Sequence, residues 1–329
     1  METRSQKAKA VLILLGAIIA LAMLPEMGLP RAWILYLFIF FIYLTFANMW
    51  NLLAGYCGLI SLCQPAFIGL GGYTLVIFTW NHLPVFAGIL GGAIVSALFV
   101  LLLSKAVFRL RGVYFAIGTL VVPAALRDTF LLWRPVGGEM NGRGAGYMLR
   151  GIQNFPMTSL YWLAVIVGVA SIFLVRALLS SKMGMGLAAT RDNEGAASSV
   201  GIDIFRLKLV AFMISASVTA IAGAVFFIYQ AYISPSSGFS MSWSMTMILS
   251  VVIGGIGTEI GPIVGTIIAV FLQFSLARFA GVSMIIQGCL LIVIMVAAPD
   301  GITGLVKNSR ACRSVAKFAL TLTGQKIPG

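Results

Sequence analysis

Apolar runs of about 20 residues, the length that a helix needs to cross a bilayer, constrain the fold of this chain more than any other feature. Ten such runs predict an all-α polytopic membrane protein of about ten transmembrane helices. The first and eighth runs are short, so eight or nine helices with one re-entrant segment is an alternative. The runs cover residues 11–24, 32–53, 58–80, 84–103, 112–133, 157–179, 209–232, 241–256, 261–279 and 282–298.

Composition and charge support a membrane protein. Hydrophobic residues make up 60% of the 329 residues and charged residues 9%, whereas soluble domains have roughly 45–50% apolar and about 25% charged residues. Lys and Arg concentrate in the segments 4–9, 105–111, 176–208 and 307–326. Because cytoplasmic loops carry most of the positive charge, this distribution predicts that both termini are cytoplasmic. The formal net charge of +13 then reflects topology, and no nucleic acid partner is expected.

The longest charged interruption between two apolar runs covers residues 181–208, on the predicted cytoplasmic side. It carries the signals of a short helix. Asp192 or Asn193 can cap the helix N-terminus, and Glu194 lies in the first turn, where the helix dipole favours an anion. Gly201 can end the helix as its C-terminal cap.

This predicted helix runs from Glu194 to Val200 and has one small apolar face. Ala196 and Val200 lie one turn apart on it, and Ala197 is adjacent. A face of this kind would let the backbone of a partner approach closely, which predicts a docking site. The alternative interpretation is a cytoplasmic loop that is merely helical.

A second unusual region, residues 51–74, interrupts its apolar pattern with several glycines, a proline and polar side chains. Irregular backbone at membrane depth is tolerated only against protein or a water-filled cavity. The region is therefore a candidate lining of a transport pathway. A helix interface in which small residues allow close packing is the alternative. The candidate pathway residues are Ser61, Gln64, Pro65, Phe67, Gly69 and Gly71.

Catalytic chemistry is not expected from this sequence. It holds one histidine, His82, and four scattered cysteines, so neither a metal centre nor a cofactor is predicted. It also lacks the GxxxxGK[ST] motif that holds ATP phosphates. An ion-coupled carrier usually keeps ionisable groups at membrane depth, but Asp128 and Glu259, the nearest candidates, lie near predicted helix ends. The sequence favours a transport subunit coupled to a separate ATPase, with an ion-coupled carrier or a membrane scaffold as alternatives.

Four blocks of sequence, in order along the chain, resemble LivM-type permeases, the membrane subunits of branched-chain amino acid ABC importers. The first is GYCGLISLCQPAFIGLGGYT at 55–74, and the second is LRGVYFAIGTL at 110–120. The third is GMGLAATRDNEGAASSVGIDIFRLKLVAF at 184–212, and the fourth is APDGITGL at 298–305. Departures from the family pattern at Cys63, Gln64 and Pro65, and in the outer segment 137–142, bear on substrate choice rather than on fold.

The resemblance implies a type II-like ABC importer permease in the bacterial inner membrane. Residues 1–305 would form the transmembrane permease domain, with the cytoplasmic coupling loop at 181–208, and residues 306–329 a basic cytoplasmic tail. By the family motif the ATPase-coupling residues are Glu194, Ala196, Ala197 and Gly201.

The partners that the resemblance implies are a homologous second permease of LivH type, two cytoplasmic ABC ATPases and a periplasmic substrate-binding protein, all around a subunit embedded in the lipid bilayer. ATP hydrolysis would take place on the ATPases. Leucine, isoleucine and valine are the expected substrates. Urea, short amides, other amino acids and sugars, which related permeases carry, are alternatives.

Overall fold

The computed structural model describes residues 30–110, 112–133, 146–152, 155–276, 280–297 and 301–308. The candidate span 11–24, the outer segment 137–142 and nearly all of the basic tail lie outside the described residues.

The described chain is almost entirely helical. Two short strands, β1 (Tyr147–Met148) and β2 (Tyr232–Ile233), pair antiparallel. The helices in chain order are α1 (Arg31–Asn51), α2 (Gln64–Trp80), α3 (Val85–Val107), α4 (Val113–Leu132), α5 (Met157–Leu179), α6 (Lys182–Asp192), α7 (Glu194–Ser199), α8 (Ile204–Gln230), α9 (Pro235–Gly238), α10 (Ser242–Gly254), α11 (Gly261–Leu276), α12 (Ala280–Ala297) and α13 (Gly301–Asn308).

Seven helical stretches of the described chain are long and apolar enough to cross a membrane. They are α1 with the π-helical turn Leu52–Tyr56, the helices α3, α4, α5 and α8, the stretch Pro235–Gly254 that holds α9 and α10, and a stretch that begins at Ile285 in α12. Helix α11 is apolar but shorter. The prediction of an all-α polytopic membrane protein is confirmed at this level.

One predicted helix is wrong at its start. The apolar run 58–80 contains α2, but α2 begins only at Gln64, and residues 57–63 form an irregular segment that we call the helix break. Gly58 adopts a φ of +69°, a left-handed conformation that ends the preceding turn. Pro65 lies in the first turn of α2, where proline starts a helix readily. The chain therefore crosses this region as two helices joined by a break.

Helices α2, α3 and α8 approach closely because small residues lie at their contacts. A Cβ atom on Gly71 of α2 would overlap the carbonyl oxygen of Ala220 in α8, and one on Gly92 of α3 would lie 3.0 Å from the Gly71 Cα atom. A Cβ atom on Gly223 of α8 would lie 2.8 Å from the Cα atom of Ile68. Contacts between small residues let membrane helices pack backbone against backbone. These three helices, with α1, form the centre of the fold.

Buried hydrogen bonds join the same helices. Gln64 Nε2 of α2 donates to Ser215 Oγ of α8 at 3.1 Å, and Thr219 Oγ1 donates to Gln64 Oε1 at 3.2 Å. Ser215 Oγ in turn donates to the Met49 carbonyl of α1 at 3.0 Å. Both polar ends of the fully buried Gln64 side chain are thus paired, which removes the cost of placing an amide in an apolar core.

The close contact at Gly71 predicts that one added methyl group at this position lowers the stability of the protein. G71A should lower the free energy of unfolding by about 1–3 kcal/mol because the new Cβ atom overlaps the Ala220 carbonyl. G288A in α12 is the matched control, since a Cβ atom there meets nothing within 4 Å. It should leave stability unchanged or raise it slightly. Thermal unfolding in detergent checks both variants, and an unfolding midpoint of G71A equal to that of G288A would contradict the close contact.

Candidate functional site

The predicted coupling loop, residues 181–208, folds into α6, α7 and the first turns of α8. Ser181 caps α6 by accepting a hydrogen bond from the Met183 amide. The Asn193 side chain caps α7 by accepting from the Ala196 amide at 3.1 Å. Of the two predicted caps, Asn193 is the one used, whereas Asp192 pairs with the neighbouring Arg191.

The C-terminal end of α7 has the predicted glycine stop. Gly201 has a φ of +89°, and its amide donates to the Ser198 carbonyl at 2.9 Å. The next amide, Ile202, donates to the Ala197 carbonyl at 3.1 Å. A left-handed glycine followed by bonds back into the last turn is how helices commonly satisfy their terminal carbonyls.

The predicted small face of α7 is divided between two environments. Ala197 is 4% exposed and packs against this chain, so the prediction that it offers a free surface is wrong. Helix α7 lies against the rest of the loop, and Ala197 is on its inner side. Ala196 is exposed, and Val200 is 83% exposed. These two residues are the part of the face that a partner can reach.

Glu194 anchors α7 to α8. Its carboxylate forms an ion pair with Lys208, whose side chain is only 10% exposed while that of Glu194 is 46% exposed. The carboxylate also lies in the first turn of α7, where the helix dipole favours it. Because Lys208 is largely removed from water, the pair offsets the cost of burying its charge.

Side chains from three helices satisfy the backbone of the helix break. Trp50 Nε1 of α1 donates to the Ser61 carbonyl at 2.9 Å, and the Leu62 amide donates to Thr119 Oγ1 of α4 at 3.0 Å. Ser244 Oγ of α10 donates to the Leu62 carbonyl at 3.4 Å. Irregular backbone is thus tolerated here because protein groups replace the missing helical partners.

The six candidate pathway residues are all buried within the chain. The ring of Phe67 packs edge-on against Phe212 of α8 with centroids 5.7 Å apart. Gly69 faces the ring of Phe239. These contacts agree with the alternative interpretation of the region as a tight helix interface. The buried set is Ser61, Gln64, Pro65, Phe67, Gly69 and Gly71.

The turn between α10 and α11 lies beside the start of the break. Asn51, at the end of α1, accepts from the Gly257 amide at 2.8 Å and donates to the Thr258 carbonyl at 3.0 Å. Arg191, at the end of α6, donates from Nη1 to the Gly55 carbonyl at 3.1 Å. Three segments distant in sequence therefore meet at one end of the protein.

Sequence reasoning did not select three residues that make contacts described above. Asn51 and Arg191 join segments distant in sequence, and Lys208 forms the ion pair with Glu194. Arg191 contributed only to the charge distribution, Lys208 also marked the end of the charged loop, and Asn51 marked the start of the irregular region 51–74. The residues considered for ion coupling are at the surface. Asp128 pairs with Arg127, with exposed side-chain fractions of 61% and 47%, and Glu259 is exposed in the turn after α10.

Comparison with known proteins identifies the family. The profile described as branched-chain amino acid transport system, permease component, matches residues 33–298. The chain is 30% identical to the high-affinity branched-chain amino acid transport system permease protein LivM of Escherichia coli K12, over 81% of this chain and 68% of that protein. It is 28% identical to LivM of Salmonella typhimurium, over 83% of this chain and 70% of that protein.

A related permease protein is similar over a shorter part. LivH of Escherichia coli K12 is 28% identical over 38% of this chain and 40% of its own length. No solved structure matches the chain. The family profile spans the helix break, the coupling loop and the turn after α10. The chain therefore belongs to the family of permease components of branched-chain amino acid transport systems.

Proposed function

We propose that the chain is a membrane-spanning permease subunit of an ATP-driven importer for leucine, isoleucine and valine. The observation that carries this proposal is the family match over residues 33–298. The names of its relatives, permease proteins of high-affinity branched-chain amino acid transport, support the substrate class. Urea, amides, other amino acids and sugars are the alternative substrates within the same kind of importer.

The proposed assembly has four kinds of component. The partial similarity to LivH supports a homologous second permease beside this one. Two cytoplasmic ATPases would hydrolyse ATP, and a periplasmic binding protein would deliver the amino acid. In this proposal the chain lies in the bacterial inner membrane with about ten spans and both termini cytoplasmic. Residues 1–305 serve as the permease domain and 306–329 as its basic tail.

We assign the ATPase-coupling residues two roles, contact with the ATPase and attachment of α7 to the permease. Ala196, together with the exposed Val200, would contact a groove of the ATPase. Ala197 and Glu194 would hold α7 against the permease through packing and the ion pair with Lys208. Gly201 would fix the end of the helix, because its left-handed φ is strained for other residues.

The transport pathway is proposed to pass along the helix break, at the surface shared with the second permease. The six buried candidates would act there by fixing the shape of the wall. The exposed residues of the break, Gly58 and Ile60, face away from the core, and Ile60 is 56% exposed. They would form the part of the wall nearest the substrate.

The transport proposal predicts a specific energy requirement. The complete importer, purified with its partners and placed in liposomes, should accumulate leucine only with ATP on the ATPase side and binding protein on the other. Uptake of radiolabelled leucine measures this, with isoleucine and valine as competitors and urea and ribose as controls. Leucine uptake by this chain alone, driven by a proton or sodium gradient without nucleotide, would instead support an ion-coupled carrier.

The docking proposal predicts that a bulky residue on the exposed side of α7 weakens ATPase binding. A196W should reduce the amount of ATPase that copurifies by about tenfold, the scale of losing one well-packed contact at an interface. A188W, at an exposed position of α6, is the matched control and should leave the amount unchanged. Equal copurification of ATPase by A196W and wild type would exclude α7 as the docking element.

A further inference from the structure

One carbonyl in the π-helical turn Leu52–Tyr56, which continues α1, is paired with the coupling loop rather than with its own helix. In a continuous helix the Leu59 amide would donate to the Gly55 carbonyl, four residues earlier. Here the Leu59 amide donates to the Leu53 carbonyl at 2.8 Å. The Gly55 carbonyl instead accepts from Arg191 Nη1 at 3.1 Å. Arg191 thus takes the place of the Leu59 amide as the donor to the Gly55 carbonyl.

The Arg191 side chain lies directly against the break. A Cβ atom on Gly58 would lie 3.3 Å from Arg191 Cγ and 3.5 Å from its Cα. The guanidinium keeps a second partner, Asp192, at 3.1 Å. A hydrogen bond from a charged donor is stronger than a neutral one, and it complements the negative end of α1.

Apolar contacts join the same two elements. Leu187, one turn before Arg191 on α6, is fully buried. It belongs to a cluster with Leu53, which precedes the break, and with Cys57 and Leu59, which lie within it. Because Leu187 and Arg191 are four residues apart, they lie on one face of α6. That face therefore contacts the break through both an apolar and a charged side chain.

The turn after α10 also lies close to the Gly55 carbonyl. Asn51 binds the Gly257 amide and the Thr258 carbonyl. A Cβ atom on Gly257 would lie 3.1 Å from the Gly55 oxygen. Two elements therefore lie beside the Gly55 carbonyl, the turn after α10 and helix α6. Asn51 fixes the turn, and α6 is the one directly connected to α7.

We propose that Arg191 is a positioning residue that transmits movement of α7 to the helix break through its hydrogen bond to the Gly55 carbonyl. This inference rests on the proposed function of α7 as the coupling helix. Only Asn193 separates α6 from α7, so displacement of α7 by the ATPases moves Arg191. The carbonyl has two alternative donors, Arg191 and the Leu59 amide. Release of Arg191 allows α1 to wind on by one turn, and this changes the pathway wall at Gly58 and Ile60.

The test compares uptake with ATP hydrolysis in the complete importer. R191A should lower leucine uptake by about tenfold, the scale of one charged hydrogen bond, while substrate-stimulated ATP hydrolysis stays within about twofold. R191K keeps a charged donor and should recover part of the uptake that R191A loses. R206A is the matched control: Arg206 pairs with Asp203, its side chain is 84% exposed, and the variant should behave as wild type.

The ratio of leucine transported to ATP hydrolysed is decisive, because a merely structural role would lower both rates together. An unchanged ratio in R191A overturns the inference. So does a loss of complex assembly shared by R191A and R191K. If the wild-type importer takes up no leucine with ATP, the proposed function is refuted. If the wild-type importer takes up leucine normally and the ratio in R191A is unchanged, only the role of Arg191 is refuted.

Discussion

The requirement that every backbone polar group in a bilayer find a partner governs this structure. The chain leaves helical geometry for seven residues, 57–63, and each peptide group left buried without a partner would cost about 1–3 kcal/mol. Trp50, Thr119 and Ser244 supply partners from α1, α4 and α10, and Arg191 of α6 supplies one to the Gly55 carbonyl just before the break. The break therefore fixes the arrangement of four helices around it.

Close packing elsewhere makes this arrangement rigid. Gly71, Gly92 and Gly223 bring α2, α3 and α8 to backbone contact, and Gln64 joins α2 to α8 by buried hydrogen bonds. Lipid gives little hydrophobic drive for helices to associate, so such contacts carry the stability. The coupling loop differs in kind, because α7 is held largely by one ion pair and one buried alanine. A firmly packed centre with a lightly held peripheral helix is suited to passing on movement.

Sequence patterns predict those features that depend on nearby residues. Apolar run length gives most of the long helices, and the residues from Asn193 to Gly201 give α7 with its caps. Contacts between distant segments are not encoded in this local way. The bond from Arg191 to Gly55 spans 136 residues, and no local pattern marks it. The inward position of Ala197 also depends on how α7 lies against the loop. The start of α2 at Gln64, in contrast, has a local signal in Pro65.

Helix α8 is a single continuous helix that joins the two ends of the protein. It has 27 residues and is therefore about 40 Å long, with Lys208 near one end beside α7. At the other end, Ala231 ends the helix and β2 pairs with β1. Because Ala220 and Gly223 pack α8 against the backbone of α2, the ion pair at one end of this helix and the strand pair at the other keep a fixed separation.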